Sequence, residues 1–270
     1  MTSRVVLVTG AAGGIGSAIT HALIDAGHCV AAHDRDAAAL DRLAAQSPKD
    51  RLFTIRSELS EARACDDAVA QAVAHFRRLE GLINNAGIGP SSVKPDAELT
   101  LLSIEEIDAE IWDRFFAINV RAPMLLARAA LPYMKRAKWG RIINNTTSYR
   151  TMLRILPYGA TKSALESMSA IWAAELASAG ITVNVLIPGG PTDTPFISDA
   201  AGWPRDKMLR PAIMGAPAVY LMSEEANAVT GQRITAGRWD ASLPDAEAMK
   251  KAARAIGWPE LTADAVWLQS

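Results

Sequence analysis

Tyr158 and Lys162, four positions apart, are the pair in this sequence best suited to chemistry. At that spacing on a helix they share one face. A free tyrosine has a pKa of about 10 and is a poor base at neutral pH, but a neighbouring ammonium favours its phenolate. A phenol held beside a lysine can therefore pass a proton to or from a substrate oxygen. Taken singly, the pair reads more simply as a half-buried tyrosine and a solvated lysine on an amphipathic helix. Its meaning rests on its surroundings.

A second chemical feature lies near the N-terminus, where apolar Val5-Val6-Leu7-Val8 runs into Thr9-Gly10-Ala11-Ala12-Gly13-Gly14-Ile15-Gly16. Glycines at such a turn let the backbone approach a pyrophosphate, and a helix starting near Gly16 aims its free N–H groups at that anion. The spacing Gly10-x-x-x-Gly14-x-Gly16 differs from the G-x-G-x-x-G fingerprint. A turn that binds nothing is the competing reading, but four glycines in seven positions cost backbone entropy with no evident packing return. Asp34 follows the second apolar run, 18 positions after Gly16. A carboxylate near that separation accepts from the ribose 2′-OH and repels a 2′-phosphate, which favours NAD over NADP. The adjacent Arg35 could instead pair with a 2′-phosphate or stack on adenine.

These groups need a scaffold that brings them together. Short apolar runs at 4–8, 29–33, 52–55, 82–84, 141–144, 182–186 and 233–235 read as strands. Segments of helical period lie between them at 16–26, 37–45, 61–76, 105–137 (broken near Pro123), 160–179 and from 217. Strands with continuous apolar character suggest a parallel sheet covered on both faces. Alternation of strand and helix predicts an α/β fold, a doubly wound Rossmann-type sheet in one domain. Residues 88–103 and 189–211 lack clear period, and both follow strand ends, where ligands bind in open α/β sheets.

Lys+Arg at 28 against Asp+Glu at 29 gives a net charge of −1, with no basic balance for nucleic acid or an anionic membrane. Cys29 and Cys65 form no C-x-x-C pair, which favours a reducing compartment. No metal site is expected. No apolar run reaches the length of a membrane span, and the expected location is cytoplasmic.

In order along the chain, Thr9-Gly10-x-x-x-Gly14-x-Gly16, Asn84-Asn85-Ala86-Gly87, Asn119, Tyr158-x-x-x-Lys162 and Pro188-Gly189 resemble the short-chain dehydrogenase/reductase family. The resemblance covers about residues 4–240, with 241–270 as a C-terminal extension packed on the same domain or on a neighbouring subunit. It implies a sheet of about seven parallel strands, a nicotinamide cofactor, a small alcohol or ketone substrate, and a homotetramer or homodimer. Gly10, Gly14, Ile15 and Gly16 would hold the pyrophosphate. Glu58 and Leu59 would lie beside the adenine, and Asn85, Ala86 and Gly87 would flank the ribose. Asn119 would hold a water on the proton path, Tyr158 would be the acid/base and Lys162 would bind the nicotinamide ribose. Pro188 and Gly189 would precede the carboxamide contact, made by Thr192 or Thr194.

Three features depart from the family pattern. After the fifth strand, Thr147 takes the place of the family serine, with Ser148 as the alternative. The run Gly190-Pro191-Thr192-Asp193-Thr194 is one residue long. The paired glycine after the last strand is replaced by Ala236-Gly237-Arg238-Trp239-Asp240, and a tail with Trp258 and Trp267 follows. An NAD-binding sensor or scaffold subunit without turnover is the competing function. The intact Tyr158, Lys162 and Asn119 set argues against it.

Overall fold

The computed structural model describes residues 2–262; Trp267 lies outside them. Eight strands form one sheet in the order β3-β2-β1-β4-β5-β6-β7-β8. The first seven are β1 Val5–Thr9, β2 Cys29–Asp34, β3 Leu52–Arg56, β4 Gly81–Asn84, β5 Gly140–Asn145, β6 Ile181–Ile187 and β7 Gln232–Thr235. They run parallel, as expected. The expectation of about seven strands falls one short. β8, Ala253–Ala255, adds to the edge of β7 in antiparallel register, with Arg254 opposite Arg233. Ala-Arg-Ala has little strand propensity of its own, so the open edge of β7 selects that conformation.

Alternation along the strands divides the core in two. Val6, Val8, Val30, Ile83, Ile143 and Leu186 pack on α1 (Gly14–Asp25), α8 (Gly215–Leu221) and α9 (Asp245–Ala252). Val5, Leu7, Leu82, Ile142 and Val183 point the other way, onto α3 (Ala62–Phe76), α5 (Ala122–Ala137) and α7 (Tyr158–Leu176). Each such side chain, fully buried, contributes about 1.5–3 kcal/mol. Both faces are covered, which is why the central strands read as unbroken apolar runs.

The sequence places the helix break near Pro123; the structure places it just before. α4 (Ala109–Phe116) passes into a π-turn at Ala117–Arg121, and Pro123 sits in the first turn of α5, directly after that turn. α2 spans Ala37–Ala45 and a short α6 spans Tyr149–Met152, between β5 and α7; α10 is Pro259–Thr262.

The order β2-β1-β4 puts the topological switch point between β1 and β4, and the crevice outside their carboxyl ends holds the candidate site. A buried polar relay fixes this region. Asn84 of β4 donates to Asn144 of β5 (2.8 Å), and Asn144 donates to Ser169 of α7 (2.8 Å). Asn144→Ala strands the Asn84 amide, while Ser169 keeps its bond to Leu165 O (2.7 Å). We expect it to lower the unfolding free energy by about 1–3 kcal/mol, read by urea titration.

Candidate active site

The glycine turn closes through contacts that a side chain would block. Gly10 sits at φ 61°, in the left-handed region. A Cβ on Gly16 would lie 1.9 Å from the Gly10 carbonyl oxygen, and one on Gly14 would lie 2.4 Å from Thr194 Cγ2. Asn85 donates to the carbonyls of Thr9 (3.0 Å) and Gly10 (3.1 Å), so it stitches this turn to the end of β4. Thr9 Oγ1 accepts from the N–H groups of Asn85 and Ala86. Gly13 at the N-cap offers no capping side chain, and the first turn of α1 carries no acidic residue. The free N–H groups there are left for an anion.

A cleft of about 950 Å³ runs from this turn across the carboxyl ends of the strands. Its walls include Gly10, Gly14, Ile15, Asp34, Arg35, Glu58, Leu59, Asn85, Ala86, Gly87, Thr147, Tyr158, Lys162, Pro188, Gly189, Thr192 and Thr194. Gly16 and Asn119 lie behind it. Gly16 is buried, and its missing side chain is what lets α1 pack against Gly10.

Beside the glycine turn, Asp34 Oδ2 accepts from Ala12 N–H and Oδ1 from Asp36 N–H, both at 3.1 Å. Asp34 therefore also pins the glycine turn. Arg35 Nη1 lies 3.6 Å from Glu58 Oε2, so Glu58 draws off the cation next to Asp34. Thr194 leans its methyl on Gly14. Thr192 donates to Gly190 O (3.2 Å) and forms a bridge with Leu209.

At the other end, α7 begins at Tyr158 itself, two residues earlier than its period suggests. Lys162 is buried and donates through Nζ to the carbonyl of Asn145 at the end of β5 (2.7 Å). Burial pushes its pKa down to about 8. Its Nζ lies 5.7 Å from the centre of the Tyr158 ring. Burial raises the Tyr158 phenol above its ordinary value, and a side-chain hydrogen bond with Thr147 pulls it back. Ser148 does not share in this, because its hydroxyl caps α6 by accepting from Thr151 N–H (3.1 Å) and pairs with Thr151 Oγ1 (2.8 Å). The structure therefore puts Thr147, not Ser148, against the phenol.

The Asn119 side chain is engaged within the protein. Oδ1 accepts from Ile88 N–H (2.9 Å), and Nδ2 donates to Ile88 O and to Thr161 Oγ1 (both 3.0 Å). Thr161 Oγ1 in turn donates to Tyr158 O (2.7 Å). The π-turn turns Asn119 inward, where it ties the loop after β4 to the first turn of α7.

Sequence reasoning missed a buried network behind Thr147. Glu166 of α7 pairs with Arg233 of β7 at 2.5 Å, both almost fully buried. Thr146 donates to Glu166 (2.8 Å), and Arg233 Nη2 donates to the Thr147 carbonyl. The guanidinium lies 4.2 Å from the centre of the Tyr149 ring, and the Tyr149 hydroxyl donates to Gly257 O. Trp258 packs on Tyr149 with ring centres 5.8 Å apart, so this part of the tail folds back onto its own chain. One signal was available: Glu166 continues the stripe of Tyr158 and Lys162 by one more turn.

The loop after β6 closes over the site. Phe196, 5.7 Å from the Tyr158 ring between centres, rests on Gly89, and Ser91 Oγ donates to its carbonyl (3.0 Å). Arg205 holds the loop by donating to Thr194 O (2.9 Å) and Ile197 O (2.7 Å) and by pairing with Asp199 (2.5 Å). Ile197 and Met208 are buried in the loop's own small core, with Trp203 against them.

A dinucleotide fits these residues, since the glycine turn is a cradle that Cβ atoms would fill and the helix N-terminus beside it is uncapped. A doubly wound sheet with that cradle at one end of a cleft and a tyrosine–lysine pair at the other defines an NAD(P)-binding oxidoreductase. The chain belongs to the short-chain dehydrogenase family, whose family model, described as "short chain dehydrogenase", matches residues 4–203. It is 31% identical to an L-fucose dehydrogenase of Oryctolagus cuniculus, over 86% of this chain and 82% of that one. It is 29% identical to a D-beta-hydroxybutyrate dehydrogenase of Cupriavidus necator, over 86% and 95%. Among solved structures, a 3-ketoacyl-(acyl-carrier-protein) reductase from Brucella melitensis complexed with NADH aligns with a TM-score of 0.73 at 29% identity, covering 84% of this chain and 93% of that one. The protein is thus an oxidoreductase of a family that acts on alcohol and ketone groups with NAD(H) or NADP(H). No helix among the described residues is long and apolar enough to cross a membrane.

The depressed Lys162 pKa sets a pH dependence. The folded protein sheds this proton near 8 and the unfolded chain near 10.5, so between those values the unfolded state binds more protons and stability rises with pH. In the cofactor-free protein, the unfolding free energy of wild type relative to Lys162→Met should rise by about 2–3 kcal/mol from pH 8 to pH 10. Urea titrations across that range give the difference; a flat or falling difference contradicts the depressed pKa.

Proposed function

We propose that this chain is an NAD(H)-dependent dehydrogenase/reductase that interconverts a small alcohol and its ketone, with Tyr158 as the proton-transfer residue. One observation carries the reading: the Tyr158 phenol, its Thr147 partner and the buried Lys162 ammonium converge on one end of a cleft whose other end carries the glycine turn and Asp34. Gly10, Gly14, Ile15, Asn85, Ala86 and Gly87 would hold the cofactor along its pyrophosphate and ribose, with Glu58 and Leu59 at the adenine. Lys162 would bind the nicotinamide ribose, and Pro188, Gly189, Thr192 and Thr194 would line the carboxamide. Bound there, the cofactor supplies hydride transfer at the substrate carbon.

The protein's own residues handle the oxygen. Tyr158 gives a proton to the ketone oxygen in reduction and takes it from the alcohol in oxidation. Thr147 orients that oxygen through its hydroxyl, which has the same donor and acceptor capacity as a serine. Burial makes the phenol a weaker acid and the hydrogen bond of Thr147 opposes that; the nearby ammonium of Lys162 would favour the phenolate further. Asn119 acts through Ile88 and Thr161 as a positioning residue.

NAD(H) is favoured over NADP(H) because Asp34 presents a carboxylate at the ribose end while Glu58 occupies Arg35. By fluorescence titration, NADH should bind at least about 10-fold more tightly than NADPH. Asp34→Asn keeps one acceptor oxygen, for Ala12 N–H, and removes the charge, and it should narrow that gap. Equal binding in the wild type contradicts this preference.

Tyr158→Phe removes one hydroxyl and keeps the ring. Turnover should fall by about 10²–10⁴-fold with NADH affinity nearly unchanged. Retention of more than about a tenth of the wild-type rate means that the proton takes another route. Thr147→Val should depress kcat, and Thr147→Ser should restore it.

A further inference from the structure

The substrate end of the cleft carries two cations that no described residue neutralises. Arg150 lies in α6 and Arg154 in the turn after it, and both line the cleft with Thr147 and Tyr158. Helical hydrogen bonding continues past the end of α6, from Leu153 N–H to Tyr149 O and from Ile155 N–H to Thr151 O. The i, i+4 spacing therefore puts both guanidinium groups on one face. Both side chains are exposed, and neither guanidinium has a hydrogen-bond or ion-pair partner among the described residues. The other arginines nearby are engaged: Arg35 with Glu58, Arg205 with Asp193 and Asp199, Arg233 with Glu166.

Like charges at i, i+4 repel, so an open arginine pair facing a reaction cleft is unfavourable until an anion joins it. Arginine suits that task, because its planar fork meets carboxylate and phosphate oxygens two at a time. The neighbouring walls, Ile118, Ile155, Phe196 and Trp203, offer no competing charge. The carboxyl among the cleft walls, Glu98, has buried oxygens, and burial raises its pKa above the ordinary carboxylate value.

We propose that the substrate carries an anionic group, a carboxylate or a phosphate, held by Arg150 and Arg154 while its alcohol or ketone carbon faces Tyr158 and Thr147. This rests on the reading of Tyr158 as the proton-transfer residue, and it adds the substrate's charge. The arginines are specificity-determining; they take no part in the proton transfer.

The test compares matched ketones that differ in charge: acetoacetate against ethyl acetoacetate, and dihydroxyacetone phosphate against dihydroxyacetone. For each pair, kcat/KM with NADH is measured in wild type and in the double variant Arg150→Met, Arg154→Met. In one pair the anionic member should be preferred by about 10- to 100-fold in the wild type, and the ratio should collapse toward one in the variant. The pair that responds distinguishes carboxylate from phosphate. Single variants Arg150→Gln and Arg154→Gln provide the same ratio should the double variant fail to fold. Ratios that are equal in wild type and variant for both pairs overturn the proposal, while turnover of the neutral ketones leaves the oxidoreductase reading standing. If none of the four ketones turns over, that reading is in question, and calorimetry of acetoacetate and of dihydroxyacetone phosphate with the NADH-loaded proteins decides the present one. Binding by wild type that the variant loses supports it, and equal or absent binding overturns it.

Discussion

The ammonium of Lys162 is held inside the protein against the carbonyl of Asn145, and the geometry of the site follows from that contact. A cation taken out of water is costly unless it is met by oriented acceptors. The carboxyl end of β5 supplies one because the strand stops there and α6 begins just beyond. The loop beside it passes close by: a Cβ on Gly87 would crowd Asn119 Oδ1 at 3.1 Å. With the lysine placed, the helix spacing places Tyr158, and Asn119 and Thr161 hold the first turn of α7 to the loop after β4.

A second buried charge system stands behind the first on the same helix stripe. A buried ion pair is weak ground for stability, because desolvation offsets much of its attraction. Here the pair has a local task. Glu166 and Arg233 fix Thr146 and the Thr147 carbonyl from behind, leaving the Thr147 hydroxyl to face the phenol. Tyr149, Gly257 and Trp258 close the network from the far side, so the segment after β7 supports the site although it does not line the cleft.

The two ends of the cleft are built from different materials. The glycine end is mostly backbone: a turn without side chains, an uncapped helix N-terminus, and two side chains, Asn85 and Asp34, that hold the turn. Such a surface suits a ligand whose pyrophosphate is the same in every turnover. The substrate end is mostly side chains on a short helix and a long loop, where Arg150, Arg154 and Phe196 can vary without disturbing the sheet.

Much of this was legible in the residues. Periodicity located the seven parallel strands to within a residue or two, because the central ones are buried on both faces and so read as apolar runs. The i, i+4 spacing of Tyr158 and Lys162, the glycines at 10, 14 and 16 and the acidic Asp34 are local patterns that a chain states by itself. Local pattern could not decide between Thr147 and Ser148, because the choice depends on where β5 stops and on Thr151 drawing Ser148 into a helix cap. It could not foresee β8, whose three residues become a strand only against the edge of β7. Nor could it pair Glu166 with Arg233, 67 positions apart, or assign Asn119 to Ile88. Those contacts join residues far apart in the chain, and only the packing of the helices on the sheet brings their polar groups within a hydrogen bond of one another.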